Sequence, residues 1–118
     1  MNNKEIQAIR KLLMLEVKEA ADFVGGVSAR TWQYWESGKY NVPEDVAELL
    51  LGLVEKRLQM IETSEDVISE QGADQVDVAY YLKYDEYLLD HKNACVVDWR
   101  LAQSVAAYLV GENITSLK

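Results

Sequence analysis

The chain has 118 residues, 49% of them hydrophobic, enough for one compact core or two small ones but too little for a large enzyme. Its formal net charge of −8 argues at first against a nucleic-acid partner. A single cysteine excludes an internal disulfide and fits a reducing compartment.

The start, Met1-Asn2-Asn3-Lys4-Glu5, runs straight into an amphipathic pattern and does not read as a signal peptide. No stretch approaches the roughly 20 apolar residues of a membrane span, so a cytoplasmic location and no membrane partner are expected. Over residues 3–14, Ile6, Ile9 and Leu13, with Leu12 one position off, mark a first amphipathic helix. Leu15-Glu16-Val17 starts a second, with Ala20, Ala21, Phe23 and Val24 as its expected buried side and Gly25-Gly26 as its end. Ser28 is a good N-cap for a third helix over residues 29–36, which Gly38 stops. Pro43, Glu44 and Asp45 then open a fourth in the favoured order of proline followed by acids.

That fourth helix keeps its period through Val46, Leu49, Leu50, Leu53, Arg57, Leu58 and Ile61, to about residue 62. Residues 63–74 are polar, acidic and contain Gly72, which reads as a linker or loose helical tail. Val76, Val78 and Tyr80 next alternate with Asp77, Ala79 and Tyr81, the pattern of a short strand with one apolar side. Residues 85–89 suggest a single helical segment. A last helix runs to residue 110, closed by Gly111, with Trp99, Leu101, Ala102, Val105, Ala106 and Leu109 as its apolar stripe. The expected organisation is a first domain over 1–62, a connection over 63–74 and a C-terminal region over 75–118.

The charge is unevenly spread. Residues 1–40 hold Lys4, Arg10, Lys11, Lys18, Arg30 and Lys39 against Glu5, Glu16, Glu19, Asp22 and Glu36, a balance of +1. Residues 62–118 hold four basic side chains against eleven acidic ones, a balance of −7. If the first half meets DNA, the acidic half lies away from the duplex and nonspecific affinity is low.

Two short helices joined by a glycine turn form a helix-turn-helix when both rest on a third. In the third helix, Trp32 and Trp35 are three apart and point one way, while Arg30, Gln33, Tyr34 and Ser37 occupy a different side. So short a helix cannot bury the tryptophans and also hide Arg30 and Gln33. The polar set therefore faces outward. Arginine pairs in bidentate fashion with guanine and glutamine with adenine, each worth about 1–3 kcal/mol of discrimination. Ser28 and the free amides at the helix start suit a phosphate.

Val17 to Gly25 and Val27 to Lys39, ending in Glu36-Ser37-Gly38-Lys39 and carrying the paired alanine Ala21, resemble the motif of lambda-repressor-like, XRE-type regulators. The resemblance covers roughly residues 5–62. It implies base or phosphate contacts at Ser28, Ala29, Arg30, Thr31, Gln33 and Tyr34, with phosphate contacts near Lys18 and Lys39. Two positions depart from the pattern: Gly26 lengthens the turn by one residue, and Val17 stands where a phosphate-binding glutamine is frequent.

A closer likeness runs the full length. Arg10 to Leu15, Val27 to Gly38, Val42-Pro43, Asp85 to Leu88 and Trp99 to Ala107 are similar to the anti-CRISPR-associated autorepressors and the YdiL-type proteins of enterobacteria. That likeness implies a mainly α fold, a lambda-repressor-like bundle followed by a small C-terminal α+β part of one short strand and two helices. It also implies a homodimeric repressor on a palindromic site in double-stranded DNA, and it hints at an RNA hairpin on the same surface. The aromatic cluster Tyr80, Tyr81, Tyr84, Tyr87 and Trp99 exceeds what a forty-residue half readily buries alone. Tyr80, Tyr81, Trp99, Val105 and Leu109 are accordingly the expected subunit interface.

A different class of function competes with this one: an antitoxin-type interaction module whose acidic half clamps a basic partner, motivated by the −7 balance. His91, the only histidine, reads as a solvated loop residue, and Cys95 as a small buried hydrophobe beside Val96 and Val97. No cofactor or metal is expected. Nothing pairs a nucleophile with a base, so no catalytic residue and no enzyme are expected.

Overall fold

The computed structural model describes residues 1–117. The chain divides into two compact units, Met1–Glu55 and a second beginning at Lys56.

In the first unit, α1 (Asn3–Leu12) begins on a reciprocal cap. Asn2 Oδ1 accepts from the amides of Lys4 and Glu5 at 2.9 and 2.8 Å, and the Glu5 carboxylate accepts from the Asn2 amide at 2.8 Å. It stops two residues before the expected end, because Met14 takes a positive φ of 61°. The next helix, α2 (Val17–Ala20), is a single α turn that continues as a π turn over Ala21–Gly25. Gly26 closes it in the left-handed region at φ 62°, its amide and that of Val27 both donating to the Ala21 carbonyl. The extra residue of the turn is thus absorbed by a π widening.

That widening corrects one expectation. Ala20, Ala21 and Val24 are buried, but Phe23 is 53% exposed, since the wider turn rotates it away from the core. After the turn, α3 (Ala29–Ser37) is closed by Gly38 at φ 84°. Ile6, Leu13, Leu15, Ala20, Ala21, Val24, Trp32, Trp35, Val46 and Leu50 form the buried interior of this unit.

The fourth helix, α4 (Glu44–Gln71), runs nine residues past the expected end, so residues 63–71 continue it. Val46, Leu50 and Ile61 keep the period and are buried, whereas Leu49 and Leu58 point to solvent. The division between units falls inside this helix.

In the second unit, Ile61, Ile68, Val105 and Leu109 form a small core. A 3-10 turn (Ala73–Gln75) leads to an extended segment, then to α5 (Tyr84–Asp90) and α6 (Val96–Gly111). The expected strand is absent: among the described residues no strand forms, and Val78 makes one isolated parallel bridge with Leu117. The alternation did mark a real apolar side, since Val76 and Val78 pack on the small core. One bridge does not make a ladder, and among the described residues no further pairing extends it.

Two smaller readings also change. Cys95 is exposed and precedes α6, where its amide donates to the Asp98 carboxylate at 2.9 Å. Gly111 is the last residue of α6 rather than its closing turn, a role taken by Asn113 at φ 58°. No helix among the described residues is long and apolar enough to cross a membrane.

A side chain on Gly25 has no room. A Cβ there would stand 3.0 to 3.2 Å from atoms of Val27, Trp32 and Trp35. Gly25→Ala should therefore lower stability by about 1–3 kcal/mol, the usual cost of overpacking. Urea unfolding followed by tryptophan fluorescence measures it, and an unchanged midpoint contradicts this packing.

Candidate nucleic-acid interface

A nine-residue helix has little stability of its own, so α3 is held by its cap and by its buried face. Ser28 Oγ accepts from the Thr31 amide at 3.2 Å and lies 3.2 Å from Thr31 Oγ1. Trp32 is fully buried and Trp35 is 5% exposed, their rings 5.4 Å apart. Both tryptophans are core, as their spacing required.

Beneath them lies an interaction that the sequence reading missed. The guanidinium of Arg10 forks onto the Glu36 carboxylate, Nε to Oε2 at 2.6 Å and Nη2 to Oε1 at 3.0 Å. Arg10 Nη1 also donates to the Leu15 carbonyl at 3.0 Å. Trp32 Nε1 donates to the same Glu36 carboxylate, and Asn3 Nδ2 reaches the Glu36 carbonyl at 3.4 Å. The two charged side chains retain only 12% and 9% of their exposure. Burial alone would raise the Glu36 pKa, but the hydrogen bonds from Arg10 and Trp32 outweigh it and hold the carboxyl below its ordinary 4.5.

A signal for this pair was present. Arg10 falls on the Ile6–Leu13 stripe of α1, and Glu36 is one turn beyond Trp32, so each apolar face carries one charge. Opposite charges in two apolar stripes that must pack together are expected to meet.

On the other side of α3, Arg30 and Gln33 are exposed, as are Ser28 and Lys39. Ala29, Thr31 and Tyr34 are half-buried. Lys18 is exposed on α2, a separate element. Arg30, Tyr34 and Lys39 are brought together: the Arg30 guanidinium carbon is 5.9 Å and Lys39 Nζ 4.4 Å from the centre of the Tyr34 ring. Tyr40, which drew no attention in the sequence, stands edge-on to Tyr34 at 5.3 Å and is 54% exposed. Ser37 faces outward but hydrogen-bonds its own helix, Oγ donating to the Tyr34 carbonyl at 3.1 Å.

The residues expected at a subunit interface lie elsewhere, in the second unit. Trp99, Val105 and Leu109 are enclosed by their own chain, at 7%, 6% and 1% exposure. Tyr80 and Tyr81 are half-buried. Much of the aromatic cluster satisfies itself locally: Trp99 Nε1 and Gln103 Nε2 donate to the Tyr81 carbonyl at 2.8 and 2.9 Å, and Tyr84 Oη donates to the Ala94 carbonyl at 2.8 Å. On α6, Val105 and Leu109 are covered by Met60, Ile61 and Ile68 from α4 together with Val76, Val78 and Ile114. His91 is exposed, with its ring stacked on Tyr87 at 4.2 Å. Among the described residues no group of side chains has the makings of a metal site.

The geometry is that of a small helical protein presenting one polar helix face on a buried support. The chain belongs to the Aca2/YdiL-like family, whose model matches residues 1–117. It is 47% identical over 117 residues to a protein of Pectobacterium phage ZF40 named Aca2 repressor, with 99% of each chain covered. It is 25% identical over 118 residues to YdiL of Escherichia coli (strain K12), again with 99% of each chain covered.

The Arg10–Glu36 pair makes the first unit acid-sensitive in a defined direction. A carboxyl with a depressed folded pKa contributes stability that is complete above its unfolded value and lost as pH falls through the folded one. Glu36→Gln should cost about 2 kcal/mol at neutral pH, by leaving Arg10 without its charge partner. The gap from wild type should narrow as pH drops below about 4.5. Denaturant midpoints at neutral and acid pH measure both effects, and a gap that is constant with pH contradicts the assignment.

Proposed function

We propose that the chain is a homodimeric, sequence-specific DNA-binding regulator, a repressor of its own promoter, which inserts α3 into the major groove of an inverted repeat. One observation carries this reading. The outward face of α3 holds Arg30 and Gln33, both exposed, while the opposite face is fixed in the core by Trp32 and Trp35. The short α2, the glycine turn and α3 make the helix-turn-helix, of lambda-repressor-like type.

Arg30 then pairs with a guanine and Gln33 with an adenine. Ser28 and the first amides of α3 take a phosphate, Ala29 and Thr31 flank the groove, and Lys18 and Lys39 contact the backbone on either side. Two copies place their recognition helices about one helical turn apart, roughly 34 Å, or a multiple of it. The identity to a protein named as a repressor supports the regulatory direction. The same reading places the protein in the cytoplasm, without cofactor or catalytic chemistry. Pairing is assigned to the second unit, on the surface around Tyr80 and Tyr81, with Trp99, Val105 and Leu109 as the interior that supports it.

Arg30→Ala and Gln33→Ala should each weaken binding to the duplex upstream of the protein's own gene by about ten- to a hundredfold, the worth of one bidentate base contact. Neither side chain is in the core, so melting temperature should hardly move. Titration by fluorescence anisotropy, with the corresponding transcript as a competitor, measures this. Unchanged affinity in both variants overturns the base-reading assignment. Preference for the transcript makes RNA the partner. Capture of one stoichiometric basic protein from native cells, with no DNA bound, favours the antitoxin-type alternative.

A further inference from the structure

Tyr34 and Tyr40 do more than line the groove-facing surface. Lys39 follows the C-terminal end of α3, and its ammonium lies 4.4 Å from the centre of the Tyr34 ring and 5.7 Å from that of Tyr40. The two rings meet edge to face at 5.3 Å, with planes 85° apart. The backbone locks that arrangement. The Tyr40 amide donates to the Tyr34 carbonyl at 3.3 Å, Ser37 Oγ donates to the same carbonyl, and the Lys39 amide donates to Ser37 Oγ at 3.4 Å. An aromatic face attracts an ammonium and restricts a side chain that otherwise samples many rotamers. Lys39 nevertheless remains exposed, so its outer hydrogens are free to meet a ligand.

We infer that Tyr34 and Tyr40 are positioning residues that hold Lys39 as a preorganised phosphate contact beside the recognition helix, and that Tyr34 does not itself read a base. The inference rests on the DNA-binding reading above and replaces the base or phosphate contact that the lambda-repressor-like resemblance implied for Tyr34. Arg30, at 5.9 Å, is at the outer limit of contact with that ring and stays the base reader. A preorganised phosphate contact adds affinity for every sequence alike, whereas a base contact adds it for one.

The test has two arms. In the free protein, the ring currents of Tyr34 and Tyr40 should shift the Lys39 Hε protons upfield. Tyr34→Leu should abolish most of that shift, and Tyr34→Phe, which keeps the ring, should restore it. Binding is then measured on the duplex upstream of the gene and on a scrambled duplex of the same length. Tyr34→Leu should weaken both by the same factor, about two- to fivefold, and Tyr34→Phe should restore both. In a Lys39→Gln background, Tyr34→Leu should cost nothing more. A Tyr34→Leu loss confined to the upstream duplex, or one undiminished by Lys39→Gln, overturns the inference by making Tyr34 a direct contact. Unshifted Lys39 protons overturn the clamp whatever the protein binds. Failure of the wild-type chain to bind either duplex, with the proton shifts intact, overturns the DNA reading and leaves the clamp standing.

Discussion

The Glu36 carboxylate is held from two sides, by the forked guanidinium of Arg10 and by the indole N–H of Trp32. The rest of the first unit depends on that junction. It ties α1 to the last turn of α3, gives the Trp32 indole N–H an acceptor, and leaves neither charge without a partner. A buried pair of this kind stabilises little relative to an apolar substitute, and breaking one half is costly. In the structure the pair joins α1 to α3 on the side of the tryptophans, while Arg30 and Gln33 stand exposed on the other.

For the proposed DNA-binding reading, what matters is how the charge is distributed along the chain rather than its sum. Arg10 and Glu36 cancel each other inside the unit, and Glu5 and Glu19 are occupied in helix caps. The cations left on the surface include Lys18, Arg30 and Lys39. The excess of acid lies mainly after residue 62. A duplex recognised in this way is bound through a few placed contacts rather than through a broad basic field, which keeps nonspecific affinity low.

The two units differ in how much their sequence disclosed. In the first, helical period, the Ser28 cap and the closing glycines located α1 and α3 and most of the interior, because each rule acts within a few residues. What escaped was non-local or unusual. The Arg10–Glu36 pair joins residues 26 apart in the chain, and the π turn that exposes Phe23 has no period of its own. In the second unit, alternation at Val76 and Val78 correctly marked an apolar side but could not say whether a partner segment would complete a sheet; among the described residues only Val78 finds one, in a single bridge to Leu117. The α6 stripe likewise marked side chains that must be covered and not what covers them. The continuation of α4 to Gln71 supplies Ile68 to that cover, which a helix ending near residue 62 would not do. Of the candidate site, the outward face of α3 was legible from spacing, while the gathering of Tyr34, Lys39 and Tyr40 came from the fold of the turn after it.

Selection from a random pool of double-stranded DNA by the intact protein, followed by sequencing of the enriched duplexes, addresses the central claim most directly. A protein that reads DNA through two copies of α3 should enrich an inverted repeat whose half-site centres lie about 10 base pairs apart, or a multiple of that. Enrichment of no sequence, or of a single unpaired site with no dyad, contradicts the account.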